Sequence, residues 1–228
     1  MSEVGNFDDL NINDNILRGV YAYGFEKPSA IQVQAIPVVI GGQDVIAQAQ
    51  SGTGKTGAFT ISTLCRIDPN LKETQSLILA PTHELAEQIF TVIKEISNYS
   101  KISILKVVGK TSINQCMRDL STNPQVIVGT PGRVLDMIQK NYLHTNSLKM
   151  LIFDEADEIL SYCFKDNIYN IVQTIPEGTQ ICLFSATLPP EVIELTDKFM
   201  KDPIKILVKK EQLTLEGIQQ FYVNVKHS

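Results

Sequence analysis

The chain predicts an α/β fold, a central and mostly parallel sheet with helices on both faces. Three observations carry that expectation. Short apolar runs rich in β-branched residues recur along the 228 residues: DVIAQA (44–49), SLILAP (76–81), ISILKVV (102–108), QVIVGT (125–130), MLIFDEA (150–156), QICLFSAT (180–187) and IKILV (204–208). Between most of them the apolar residues fall at helical spacing. Leu85, Ile89, Ile93 and Ile96 follow the second run, and Leu160, Phe164, Ile168, Ile171 and Ile175 follow the fifth, with a period near 3.6. Finally, the first run opens directly into a glycine-rich turn and then a helical pattern. Strands apolar on both faces need helices on both sides, which parallel βαβ units supply. In such sheets ligands sit at the carboxyl ends of the strands, so the polar residues there are the ones to inspect.

Composition narrows the classes. Hydrophobic residues make up 43%, enough for a sizeable core. No stretch approaches the roughly 18 to 20 apolar residues of a membrane helix. The start, MSEVGNFDDLNIND, is polar and acidic, without the pattern of a secretory or transit peptide. Cys65, Cys116, Cys163 and Cys182 are scattered and read as small core residues of a reducing compartment, not as a disulfide frame or zinc site. The expectation is a soluble intracellular protein. The net charge of −5 argues against indiscriminate nucleic-acid binding, which rests on basic surface. It leaves room for a local groove of backbone amides and a few cations.

The first strand runs into AQSGTGKTGAF. Ala49, four residues, then Gly54, Lys55 and Thr56 fit the phosphate-loop spacing, with Ala in place of the first glycine. Glycines let the backbone curl so that its amides face phosphate oxygens, and the helix that follows adds its partial positive charge. Lys55 then reaches the β- and γ-phosphates and the Thr56 hydroxyl ligates Mg²⁺. The same letters hold Gly52-x-Gly54-x-x-Gly57, a dinucleotide fingerprint. That motif needs an acid at the end of the next strand for the ribose, and SLILAP ends in Ala80 and Pro81. A plain glycine-rich turn leaves the GKT placement between strand and helix unexplained.

The fifth run ends in Asp154, Glu155, Ala156, Asp157 and Glu158. Carboxylates so close repel one another. A solvated helix start tolerates acids, but a phosphate loop elsewhere supplies a better reason. Enzymes of that type hold Mg²⁺ between the loop hydroxyl and an acid closing another strand. Asp154 fits that place, and Glu155 is placed to orient or deprotonate water. Glu158 is assigned no function.

Asp154-Glu155-Ala156-Asp157 spells DEAD, behind an AxxGxGKT loop, and on these residues the chain resembles the DEAD-box RNA helicases over nearly all of its length. The resemblance implies a RecA-like P-loop domain that uses ATP with Mg²⁺ and binds single-stranded RNA by its sugar–phosphate backbone. GFEKPSAIQ (24–32) looks like the Q motif. By that likeness Phe25 stacks on adenine, Gln32 reads its edge, and Lys27 joins Ser51, Gly52, Thr53, Gly54, Lys55 and Thr56 around the nucleotide. Phe7 lies upstream where the family often carries an aromatic. Pro81-Thr82-His83, Gly109 and Thr130-Pro131-Gly132-Arg133 match the RNA-gripping motifs, through Pro81, Thr82, His83, Gly109, Thr130, Gly132 and Arg133. Asp157, Ser185 and Thr187 match the residues that couple hydrolysis to strand separation. Taken alone these signals are weak: SAT is any small polar triplet after a strand, and TPGR reads as a turn in which Thr130 caps the helix VLDMIQK. Their order and spacing raise them.

The likeness extends to YAYGFEKPSAIQ and LVKKEQLTLEGIQQFYVNV, which point to members acting in translation initiation. The alternative is an ATP-gated RNA clamp of the exon-junction type. A cytoplasmic monomer is expected, nuclear under the clamp reading, with translation-initiation scaffold proteins as partners and no membrane. The expected layout is an N-terminal extension (1–23), a RecA-like domain (24–210) and a linker (211–228) toward a second RecA-like domain. That second domain supplies arginines to the γ-phosphate, so the chain by itself is expected to bind nucleotide but scarcely hydrolyse it. Two departures stand out. His83 replaces the usual Arg in PTHELA, giving a shorter and less charged side chain. Lys110 replaces a second glycine in VVGKTS. His83-Glu84 does not start a zinc-protease motif, because Glu87 stands where that motif needs His.

Overall fold

A computed structural model of the chain describes residues 5–160 and 164–207. Seven strands form one sheet: β1 (Val45–Gln48), β2 (Ser76–Leu79), β3 (Ile104–Val107), β4 (Val126–Gly129), β5 (Met150–Asp154), β6 (Gln180–Ser185) and β7 (Ile204–Leu207). Their order is β3-β4-β2-β5-β6-β1-β7, and every pairing is parallel. All seven coincide with the apolar runs of the sequence.

Period-two alternation sorts the strand residues into two cores. Val45, Ala47, Ile78, Ile152, Cys182 and Phe184 face one of them. Ile46, Leu77, Leu79, Leu151, Phe153 and Leu183 face the other. The first core is closed by α1 (Asp14–Tyr23), α2 (Ala30–Ile40), α3 (Lys55–Arg66) and α4 (His83–Ile96). The second is closed by α5 (Ile113–Leu120), α6 (Pro131–Gln139), α7 (Ala156–Ile159), α8 (Lys165–Val172) and α9 (Pro190–Phe199). Burial on both faces explains why the strands read as continuous apolar runs.

The strand order positions the site. It sets the carboxyl ends of β5, β6 and β1 side by side and those of β3, β4 and β2 side by side. Register keeps the ends level: Gln48 lies opposite Ser185, Asp154 opposite Phe184, and Leu79 opposite both Gly129 and Phe153.

Two local expectations differ from what is seen. The helical pattern after the acidic run is divided: α7 ends at Ile159, residues 161–163 lie outside the described part, and α8 stops at Val172. Ile175 packs beyond the helix because Pro176 follows it, and a residue before proline is pushed out of the α region. The helix after TPGR begins at Pro131, ahead of VLDMIQK, with Pro in the first turn where its missing N–H does no harm. Thr130 stands at its N-cap, yet its side chain makes no cap hydrogen bond.

Cys65, Cys116 and Cys182 are free; Cys65 is partly buried against the first core, and burial pushes its thiol up to about 11, as suits an unreactive thiol. Cys163, the first four residues and 208–228, with the strand-like QFYVNV, lie outside the described residues. Among the described residues no cluster of His, Cys, Asp and Glu is arranged to hold a metal on its own. No described helix is long and apolar enough to cross a membrane.

Candidate active site

The phosphate loop curls as its glycines allow. Gly52 and Gly54 hold left-handed backbone, φ 82° and 102°, which side-chain-bearing residues rarely adopt. Thr53 donates its hydroxyl to the Gln50 carbonyl at 2.6 Å, and the Ala49 amide, donating to the Ser185 carbonyl at 3.0 Å, ties the loop's base to β6. The helix α3 then starts at Lys55, leaving first-turn N–H groups without helical partners. The third glycine of the rejected dinucleotide pattern has another use. A Cβ on Gly57 would lie 2.5 Å from Gln32 Nε2 and 3.1 Å from the Phe25 ring. Gly57 is the space into which the Q-motif residues pack.

Phe25 is held from both sides. Phe7, fully buried, stacks on it with centroids 6.1 Å apart, and Tyr23 meets it edge-on at 4.9 Å. Gln32 is buried, accepts from the Ser29 amide at 2.8 Å and donates to the Gly54 carbonyl at 3.2 Å. One N–H and one lone pair of its amide remain, enough to pair with an adenine edge. Lys27 is exposed on the loop between Phe25 and α2. Ser29, which the sequence does not single out, has a buried hydroxyl without a partner among the described residues, at the position a Gly54 Cβ would crowd to 2.7 Å.

Three charged groups meet at the centre. Lys55 is 5% exposed. Its Nζ lies 3.3 and 3.4 Å from the two Glu155 carboxylate oxygens. Ser51 donates to the same Glu155 at 3.4 Å. Glu155 adopts left-handed backbone, φ 48°, a conformation that costs about 1–3 kcal/mol and collects at functional positions. Beside it, Asp154 is 5% exposed, and its Oδ1 has no hydrogen-bond partner among the described residues. Burial first, then the Glu155 charge, pushes the Asp154 carboxyl up to about 6, against the pull of Lys55. A buried, raised carboxylate with one unpartnered oxygen, beside a lysine and a curled glycine loop, has the donors that a divalent cation and a polyphosphate require. The residues fit Mg²⁺ with a nucleotide, with Thr56 at the start of α3 as the hydroxyl donor.

A second set of bonds joins this cluster to β6. Thr187 and Asp157 hydrogen-bond through their side chains, and the Asp157 amide donates to Ser185 Oγ at 3.3 Å. Burial raises the Asp157 carboxyl, but the bonds from Thr187 and Ser185 outweigh it and hold the group below its ordinary range. Gln48, not singled out from sequence, donates to the Ala186 carbonyl at 3.1 Å. Its signal is a polar residue closing an apolar strand.

The other three strand ends carry the remaining predicted residues. Pro81 is buried after β2, and Thr82 caps α4 by accepting from the Leu85 amide at 3.2 Å. His83 opens α4, half-exposed, with Nε2 3.9 Å from Glu87. Lys106 of β3 pairs with that same Glu87, so the acid is shared between an imidazole and an ammonium. Gly109 and Lys110 follow β3, and Lys110 takes left-handed backbone, φ 61°. Thr130, Gly132 and Arg133 follow β4. Arg133 reaches the β3–α5 loop, donating to Thr111 Oγ1 at 3.1 Å and to its carbonyl at 3.2 Å. Thr111, another residue without a signal of its own in the sequence, thereby joins the two loops. The exposed Glu84 carboxyl is lowered by its own backbone N–H and by the charges of His83 and Lys110.

The sequence pattern of the DEAD/DEAH box helicases matches residues 29–195. The chain belongs to that family. It is similar to the ATP-dependent RNA helicase eIF4A of Botryotinia fuckeliana, 56% identical over 223 residues, covering 98% of this chain and 56% of the relative. The relative of the same name in Neurospora crassa matches at the same identity and coverage. Solved family members agree in fold. A DEAD box protein of the hyperthermophile Methanococcus jannaschii superposes with a TM-score of 0.85 at 37% identity, over 89% of this chain and 55% of that one. Dbp5 of S. cerevisiae bound to RNA and ADP BeF3 gives 0.85 at 34% identity, over 94% and 55%. The chain thus spans about half the length of the family members it matches, and its seven-stranded parallel sheet is their RecA-like domain.

Proposed function

We propose that the chain is the N-terminal ATP-binding half of an ATP-dependent RNA helicase that unwinds RNA structure in translation initiation, acting in the cytoplasm. The observation that carries this is the meeting of Lys55, Glu155 and the open Oδ1 of Asp154 beside the Gly54 turn and Gln32. The likeness to the eIF4A helicases at 56% identity supports initiation over the RNA clamp. The working unit is residues 24–210, with Phe7 and Tyr23 of the extension 1–23 bracing Phe25 and 211–228 leading to a second RecA-like domain. Translation-initiation scaffold proteins are the proposed partners, with the protein itself a monomer.

In this mechanism Phe25 stacks on adenine, Gln32 pairs with its edge and Lys27 lies beside it. Backbone amides of Ser51, Gly52, Thr53 and Gly54 bind the phosphates, and Thr56 and Asp154 would hold Mg²⁺. The cation, when bound, neutralises phosphate charge and polarises the terminal phosphoryl group. Lys55 leaves Glu155 for the phosphates. Glu155, freed, orients the attacking water and accepts its proton. Asp157, Ser185 and Thr187 pass the change toward the RNA face, where Thr82, His83, Gly109, Thr130, Gly132 and Arg133 grip the sugar–phosphate backbone and Pro81 shapes the turn. The test is phosphate release from Mg·ATP by this chain, with and without single-stranded RNA, beside direct nucleotide binding. Binding with almost no turnover is expected, because a second domain completes such sites and an arginine finger is worth about 10³–10⁵ in rate. Robust RNA-stimulated turnover by the chain alone overturns the account, as does failure to bind nucleotide.

A further inference from the structure

Gln48 breaks the pattern of its strand. Val45, Ile46 and Ala47 are buried and apolar, and a half-buried glutamine then closes β1, on the face that Ile46 shares with the second core. The ladder between β1 and β6 ends at the pair Gln48 and Ser185. Beyond it residues 186–189 run irregularly to α9, so sheet pairing does not set their position. Gln48 carries the pairing one residue further, its Nε2 donating to the Ala186 carbonyl at 3.1 Å. The next amide along, that of Ala49, donates to the Ser185 carbonyl at 3.0 Å. Two consecutive carbonyls at the end of β6 are thus tied to Gln48 and Ala49, where β1 becomes the phosphate loop. From the other side the same turn is held by Asp157, whose amide donates to Ser185 Oγ at 3.3 Å and whose carboxylate accepts from Thr187. The turn after β6 is suspended between the phosphate loop and the acidic segment. A backbone amide makes its bond whatever the residue. The Gln48 bond depends on a side chain that carries an N–H, which an apolar residue closing the strand would lack.

We infer that Gln48 is a positioning residue that passes the state of the phosphate loop to the turn after β6, and through Thr187 to Asp157; this rests on the nucleotide-binding reading above. Gln48 holds no phosphate and takes no proton. When a nucleotide enters, Lys55 gives up Glu155 and the loop settles on the phosphates. A shift where β1 meets the loop then carries Ala186 with it, because the Gln48 amide joins them, and the Thr187 hydroxyl follows Ala186. A rival route runs from Glu155 along the acidic segment to Asp157, two residues away in the chain. That route bypasses Gln48, so a substitution there separates the two.

The test is hydrogen exchange of the 228-residue chain, read by mass spectrometry with and without Mg²⁺ and a non-hydrolysable ATP analogue, in wild type and in Gln48→Met. Methionine is close to glutamine in length and volume and has no N–H to donate. In wild type the analogue slows exchange in the loop, 50–54, and also in the turn, 186–188, the latter by about fivefold or more, the low end of coupling between linked sites. In Gln48→Met the loop is still protected and the analogue binds as before, but the turn no longer responds. The melting temperature falls by about 2–4 °C, as the loss of one hydrogen bond costs in a chain of this size. A merely structural role predicts a different result: the turn exchanges faster with and without analogue alike, and its response to nucleotide is kept. That result overturns the assignment. So does an unaltered turn in Gln48→Met, which points to the Glu155 route, and so does a wild-type turn that ignores the analogue while the loop is protected; each leaves the nucleotide site in place. If the wild-type chain shows neither loop protection nor analogue binding, the nucleotide-binding reading falls and the Gln48 assignment with it.

Discussion

Asp154 carries a measurable penalty in the nucleotide-free molecule. Its carboxyl is raised from 3.8 to about 6, by burial and by the neighbouring Glu155 charge. At about 1.36 kcal/mol per pH unit, the ionised side chain costs the folded state ~3 kcal/mol at neutral pH. The 5% exposure of Asp154 leaves little solvent to screen it. Asp154→Asn removes the charge at nearly constant shape, so it stabilises the free domain by up to ~3 kcal/mol, or roughly 6–12 °C in melting temperature for a chain of this size. The pH dependence separates charge from packing. The folded pKa lies above the unfolded one, so between about pH 4 and pH 6 the folded state holds a proton that the unfolded state has lost. Wild-type stability therefore falls as pH rises through that window and is level above it. The Asn variant lacks this fall, and its advantage is near zero at about pH 4 and full above about pH 6. Urea melts across the window read this directly. With Mg²⁺ and nucleotide added the order reverses, because binding stabilises only the protein that holds the metal. A gain below about 1 kcal/mol at neutral pH, or one that does not vary with pH, refutes the argument that burial of a charge sets the cost.

Three further substitutions test neighbouring parts of the site. Glu155→Gln removes the counter-charge that holds Lys55; nucleotide affinity, read by titration with a fluorescent analogue, is no weaker than wild type, while turnover in a two-domain form is abolished. Gly57→Ala places a methyl 2.5 Å from Gln32 Nε2 and 3.1 Å from Phe25; overpacking of about 1–3 kcal/mol appears as loss of ATP affinity with loss of preference for adenine over guanine. Lys110→Gly relieves a left-handed backbone, φ 61°, and raises stability by ~1 kcal/mol; if Lys110 also touches a phosphate, the salt slope of RNA binding falls by about one.

The fold is legible because its signals are local and repeated. Strands buried on both faces cannot hide their apolar runs, so the amino-acid order alone places all seven. What local pattern does not supply is adjacency between distant segments. Nothing near Gln48 in the sequence says that its amide meets Ala186, and nothing near Gly132 says that Asn167 lies over it. Those contacts follow from strand order and helix crossing, which depend on packing across the whole sheet. Gly57 is the instructive intermediate. In the sequence it is visible only as part of a glycine pattern that suits a dinucleotide, whereas its role is to leave room for Phe25 and Gln32.

Lys110 shows the opposite case, where the sequence poses a physical problem that only backbone geometry resolves. A lysine in place of glycine either reshapes the loop or keeps the glycine conformation at a cost. The loop keeps it, φ 61°. With Arg133 held on Thr111 just beyond it, the turn has a reason not to relax: a shift at Lys110 would carry Thr111 away from the arginine. The strain and the cation therefore belong to one arrangement, in which Lys110 adds charge to the face where His83, shared with Glu87, gives less than an arginine would.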